Sequence, residues 1–254
     1  VGTLAEKRYT VNLPTPMKLH RFIGTYPLEE RQFTVHDPSL AHQLQRVLKL
    51  TPEEEVILAD GKGNEAVAVI SGFVKGGASF TVRSRRRNEN EPNVFITLYL
   101  SMLKSEFFEF AAQKATEAGA SRIIPVHAAR TVKLGFRTER LGRIVKEAAE
   151  QSGRGMVPEL WGPLDLAQAL THAAGNELNI LFDQGGEHVA GYERQRTHTG
   201  IFIGPEGGWA PEELALVRDR GCLVMSLGRL TLRAETAATV ASYLFAHPPL
   251  RQYL

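Results

Sequence analysis

The 254-residue chain carries 30 basic and 28 acidic residues, 43% hydrophobic residues and a single cysteine. That balance excludes a mainly disordered chain, and the length allows one large or two small domains with a full core. No apolar run approaches the roughly 18 residues of a membrane helix. Cys222 alone forms neither an internal disulfide nor a cysteine-rich zinc site, so a cytoplasmic protein is expected.

The net charge of +2 hides a gradient. Residues 104–154 hold ten Lys/Arg against six Asp/Glu, and residues 155–254 hold seven against eleven. Arginines outnumber lysines 21 to 9, and guanidinium groups suit bidentate phosphate contacts. The stretch MKLHRFI from Met17 reads like a protein start, so residues 1–17 are assigned to an N-terminal extension that folding does not need.

Residues 18–90 read as a small β domain. HQLQRVLKL, from His42 to Leu50, has Leu44, Val47 and Leu48 at helical spacing. Strands are expected at Val56–Ala59, Glu65–Ser71 and Ser79–Arg83, with a turn on Asp60-Gly61-Lys62-Gly63 between the first two. The arginines 83 and 85–87 close this part, and NENEPN (88–93) reads as a linker.

From residue 94 to 247, strands alternate with helices. Strands are expected at Val94–Ser101, Ile123–Val126, Leu178–Asp183, Gly200–Gly204 and Leu223–Leu227. Helices are expected at Lys104–Ala118, Thr138–Ser152, Pro211–Asp219 and Arg233–Ala246. The first carries Phe107, Phe110, Ala111 and Ala118 on one face and stops at Gly119. This alternation implies an α/β domain with a mostly parallel sheet.

Three motifs carry potential chemistry. Gly204-Pro205-Glu206-Gly207-Gly208 follows a strand and precedes a helix, where ligands of open α/β sheets bind. It is neither a phosphate loop nor a dinucleotide fingerprint; without a ligand it is a tight strand–helix turn. Ser226 to Ala237, SLGRLTLRAETA, takes a strand through an irregular loop into a helix whose first turn holds Glu235. Glu147 to Arg154, EAAEQSGR, ends a helix at Gly153 and reads most simply as a helix stop with a cation near its negative end. The eight histidines show no HxxxH pair, so no metal is expected, and the absence of GxSxG disfavours a serine hydrolase.

GPEGG followed by LGxxxLRAETA resembles the SPOUT superfamily of RNA methyltransferases. With KLHRFI, HQLQRVLKL, the turn at Asp60, KSEFFEFAAQKATEAGASRIIPV and EAAEQSGRGMVPEL, the chain resembles one branch, the RsmE-type enzymes that methylate uridine N3 in 16S ribosomal RNA. The likeness runs from about Lys18 to His247, with Lys49 standing where the family often has arginine.

The resemblance implies a PUA-like β-barrel at residues 18–90 and a trefoil-knotted methyltransferase domain at 94–247, in a homodimer built on the helices at 104–118 and 233–246. It implies S-adenosylmethionine (SAM) held by Phe182, Ile203, Gly204, Gly207, Gly208, Leu227, Gly228, Leu230 and Leu232. Uracil N3 must shed a proton, and the base must leave any duplex to be reached. Arg154 and Arg233 are therefore assigned to substrate or transition-state contacts. Glu206 is assigned to the loop structure, with proton acceptor as its alternative role. Arg21, His42, Arg46 and Lys49 are assigned to RNA backbone contacts, against the plainer reading of a solvated charged face. The rival functions are methylation at another RNA position, such as ribose 2′-O, and a non-catalytic RNA-binding assembly factor.

Overall fold

The computed structural model describes residues 19–131, 137–189 and 196–247; the N-terminal extension lies outside them. The first unit is a five-stranded sheet of β1 (His20–Ile23), β2 (Gln32–Val35), β3 (Glu55–Ala59), β4 (Asn64–Val74) and β5 (Gly77–Arg87), in the order β1-β3-β4-β5-β2. The β3–β4 hairpin closes where expected: Asp60 Oδ1 accepts from the Lys62 and Asn64 N–H groups at 2.7 and 3.0 Å. Val56 and Leu58 of β3 point with Phe22, Ile70 and Phe80 into one core, as alternation demands. β1 and β2 were not legible beforehand; each is four residues long and mostly polar at one end.

Between β2 and β3 the chain forms α1 (Pro38–His42), whose Asp37 cap accepts from the Ser39 and Leu40 N–H groups. The helix continues as one wider π turn over Gln43–Val47, with Leu48 N–H donating to the Gln43 carbonyl at 2.9 Å. The extra residue in that turn shifts the helical phase. Leu44 is buried and Leu48 packs beside it, whereas Val47, expected on the same face, is 61% exposed.

Arg21 departs from its assignment as an RNA contact. Its side chain is buried and ion-paired with Glu65, which also accepts from Arg86 Nε at 2.7 Å and Asn88 Nδ2 at 2.9 Å. Leaving a buried carboxylate alone is costly, so Glu65 claims the guanidinium. Arg85 is also occupied, donating to the carbonyls of Leu28, Glu29 and Glu30.

The second unit comprises β6 (Phe95–Ser101), α2 (Ser105–Glu117), β7 (Arg122–His127), α3 (Thr138–Ser152), β8 (Glu159–Leu160), β9 (Leu164–Asp165), α4 (Leu166–Ala173), β10 (Leu178–His188), β11 (His198–Ile203), α5 (Pro211–Asp219), β12 (Leu223–Ser226) and α6 (Ala234–Ala246). Its sheet runs β12-β10-β11-β6-β7-β8, with β9 also beside β7, and every pairing is parallel. On β6, Ile96, Leu98 and Leu100 face a core shared with α2, α3 and α6, while Tyr99 faces the core under α4 and α5. Both faces of the sheet are thus covered, as a parallel sheet requires. In α2 the core takes Phe108, Ala111, Ala112 and Ala115; Phe110, expected inward, is 47% exposed. α4 and the two-residue strands β8 and β9 were not anticipated.

The NENEPN stretch is strapped down rather than free. Asn88 and Asn90 side-chain amides donate to the Gly153 carbonyl, and Glu91 accepts from the Gly155 and Met156 N–H groups. The β3–β4 turn docks on the same segment, with Gly63 N–H donating to the Gly155 carbonyl at 3.0 Å. Ile23 N–H donates to the buried Glu150 carboxylate at 2.7 Å, bringing β1 onto α3.

Candidate active site

The carboxyl ends of β10, β11 and β12 open into a cavity of about 840 Å³ and an adjoining cleft of about 90 Å³. Gly204–Trp209 after β11, Thr231–Arg233 after β12 and the first turn of α6 line the cavity, together with Lys104, Phe107 and Arg130. Leu227, Gly228 and Leu230 line only the cleft, and Phe182, Asp183, Gln184, Thr231, Leu232 and Ala237 are shared by both.

The loops are fixed by tertiary contacts. The buried Trp209 ring lies against Gly204, where a Cβ would stand 2.8 Å from Nε1, so only glycine fits. Trp209 Nε1 donates to the Phe182 carbonyl at 3.2 Å and joins the loop after β11 to β10. Gln184 Nε2 donates to Thr231 Oγ1 at 2.5 Å, joining the β10 end to the loop after β12. Phe182 is held edge-on by Phe245 of α6, with centroids 6.2 Å apart.

The polar lining is balanced: cations Lys104, Arg130 and Arg233 face acids Asp183, Glu206 and Glu235. Arg233 precedes α6 in extended geometry (φ −63°, ψ 154°) without a side-chain cap, so first-turn N–H groups of α6 are left for a ligand or solvent. The Arg233 side chain is 80% exposed and reaches Glu235 only at 4.0 Å. Glu206 is exposed and makes no hydrogen bond among the described residues, so it does not hold the loop. Among these residues no group of three His, Cys, Asp or Glu side chains is placed to hold a metal.

Residues 89–246 match the RNA methyltransferase domain family. The chain belongs to this family. Ribosomal RNA small subunit methyltransferase E of Mycobacterium bovis is 34% identical over 207 residues, covering 77% of this chain and 79% of that protein. A methyltransferase of Legionella pneumophila, solved with bound SAM, superposes with a TM-score of 0.81 at 27% identity, covering 90% of this chain and 97% of the other. Ribosomal RNA small subunit methyltransferase E of Neisseria gonorrhoeae, solved with SAM, gives 0.79 at 26% identity, covering 88% and 95%.

In this RNA methyltransferase, all nine residues assigned to the cofactor line the cavity or the cleft. Glu206 and Arg233 join them. Arg154 does not: it is 4% exposed and lines neither the cavity nor the cleft, bound to Glu91 and to the carbonyls of Thr116 and Ala120. Its assignment as a substrate contact is corrected accordingly, because Nε, Nη1 and Nη2 all bind the strap, the end of α2 or the turn after it. His42, Arg46 and Lys49 are each exposed on the first unit; Arg21 is not. The sequence reading passed over Lys104, Phe107, Arg130 and Trp209. Arg130 follows the carboxyl end of β7, and the strand-end rule applied to every strand would have found it.

Proposed function

We propose that this chain transfers a methyl group from SAM to N3 of a uridine in 16S ribosomal RNA. The observation that carries this reading is the convergence of two distant glycine-rich loops on one cavity, in a member of the RNA methyltransferase family. The residues fit the cofactor. Phe182, Ile203, Leu227 and Leu232 offer an apolar slot for adenine, and the backbone beside Gly204, Gly207 and Gly228 offers the hydrogen bonds. When bound, SAM supplies an activated methyl group, so the protein's task is to seat the base and manage one proton.

Arg233 lines the cavity, 80% exposed and only 4.0 Å from Glu235, and it stabilises negative charge developing on the uracil oxygens. Glu206 is the proton acceptor: an exposed carboxylate lining the cavity, without a partner among the described residues. The first unit acts as a PUA-like RNA clamp through His42, Arg46 and Lys49. The domain boundaries follow the two sheets, 18–90 and 94–247. The knot is supported by the path of the chain from the β12 edge back over the sheet centre to α6, past the residues that follow Phe182. A homodimer through the outer faces of α2 and α6 explains why Phe110 and Tyr243 are left 47% and 58% exposed. The working compartment of such an enzyme is the cytoplasm.

The test is calorimetric titration with SAM, followed by incubation with small ribosomal subunits lacking the modification and nucleoside analysis. SAM binding and one new N3-methyluridine are expected. A ribose 2′-O-methyl product would overturn the substrate position, and absence of SAM binding in the folded protein would favour a non-catalytic factor.

A further inference from the structure

Arg130 stands on a turn that the protein holds with unusual care for a surface loop. Ala128 N–H donates to Thr131 Oγ1 at 2.8 Å, and Thr131 N–H donates back to the Ala128 carbonyl at 3.0 Å. Ala129 N–H donates to Glu213 Oε1 at 2.8 Å, while Glu213 Oε2 accepts from Ala210 N–H and ties the turn to the start of α5. The side chain lies along Gly207, where a Cβ would stand 3.3 Å from Arg130 Cβ, and Nη1 donates to the Gly207 carbonyl at 2.7 Å. Among the described residues only that one nitrogen is used. Nε and Nη2 form the fork that an oxyanion accepts in bidentate fashion, and they make no hydrogen bond among the described residues. Lys104, which lines the same cavity, has no ion pair or side-chain hydrogen bond among the described residues either. Phe107, half-buried one helical turn on, lines the wall with them.

We propose that Arg130 and Lys104 form the phosphate site of the target nucleotide, holding the RNA backbone at the cavity mouth while the base passes inward along Phe107. The inference rests on the reading of the chain as an RNA methyltransferase with a base-directed site. Two features favour a substrate phosphate over the carboxylate of the cofactor. The pair lines the large cavity but not the cleft at Leu227–Leu230, and the cavity lies near the top of the roughly 300–1,000 Å³ range for one ligand, which leaves room for a second. An extruded nucleotide also brings its phosphate to the rim, where phosphate contacts position the strand without reading its sequence. Through Gly207, the same guanidinium ties the seated strand to the loop proposed to hold the cofactor.

The experiment compares Arg130→Gln, Arg130→Lys and Lys104→Gln with the wild type, using SAM calorimetry, steady-state methylation of unmodified small ribosomal subunits, and RNA binding against salt. Arg130→Gln should raise KM for the subunits about tenfold, as expected for loss of a charge-assisted contact, with SAM affinity unchanged. Each lost cation should reduce the slope of log affinity against log salt by about 0.7 on a single strand. Arg130→Lys should recover part of the KM. Lys104→Gln removes an exposed side chain without partners among the described residues, so it tests the site even if the Arg130 variants fold poorly. Weakened SAM binding with unchanged KM would reassign the pair to the cofactor, and an unchanged salt slope in Lys104→Gln would overturn the proposal. Failure of the wild type itself to bind SAM or modify RNA would instead defeat the underlying functional reading.

Discussion

Arg154 follows a helix end and a glycine; that stretch reads most simply as a helix stop, and only the family resemblance assigns Arg154 to a substrate. In three dimensions its Nε and Nη2 bind Glu91 at 3.2 and 2.8 Å, and Nη1 binds the Thr116 carbonyl at 3.0 Å. Removing one partner of a buried pair strands the other. Arg154→Ala should therefore destabilise the protein by about 3–5 kcal/mol in urea unfolding, with SAM affinity of the folded fraction unchanged. Glu65 and Glu150 respond to pH in opposite senses. Burial alone would raise the Glu65 carboxyl, but its bonds from Arg21, Asn88 and Arg86 outweigh that and hold it below the ordinary 4.5. Its contribution is complete above pH 4.5 and is lost as pH falls through the folded value, so Glu65→Gln should flatten the acid limb of the stability curve. Glu150 is raised above 4.5, chiefly by burial, against the bond from Ile23 N–H. It binds its proton more tightly folded than unfolded, so stability falls as pH rises from 4.5 through its folded value. Glu150→Gln keeps an acceptor for Ile23 and should raise the melting temperature at pH 7 but not at pH 4.

At the scale of elements, β10 shows how an irregularity builds a site. It pairs with β12 at Ile180–Phe182, breaks register, and pairs again at Glu187 and His188. The intervening Asp183 and Gln184 are thereby turned to the cavity. At Gly186 a Cβ would stand 2.6 Å from the Met225 backbone, which cannot yield as a flexible side chain would. Gly186→Ala should cost about 1–3 kcal/mol of stability and weaken SAM binding, because it shifts Phe182 and Gln184 together; calorimetry and thermal unfolding would measure both. The π turn after α1 is a second case. Its wider ring moves Val47 out of the apolar stripe and leaves His42, Arg46 and Lys49 on the exposed side.

On the scale of the molecule, the strap at Asn88–Glu91 and the docking of the β3–β4 turn on Gly155 hold the first unit against the second. If the first unit clamps RNA as proposed, these contacts set its separation from the cavity. The outer faces of α2 and α6 bear on assembly. Phe110→Glu adds charge to that exposed surface at a residue outside the buried core and should shift a homodimer toward monomer in light scattering at matched concentrations.

The sequence by itself determined the alternating α/β order, the long helices and strands of the second unit, and the two loops that form the cavity. Those signals are local: apolar periodicity, glycine at chain reversals, and motif residues adjacent along the chain. Tertiary structure alone decided the fate of the cations. Arginine looks the same in a string whether a buried carboxylate claims it, as Glu65 claims Arg21 and Glu91 claims Arg154, or whether it is left facing a cavity, as Arg130 and Arg233 are. Partners 44 and 63 residues away are chosen by packing, and the energy of a charge depends on what surrounds it rather than on its neighbours in sequence.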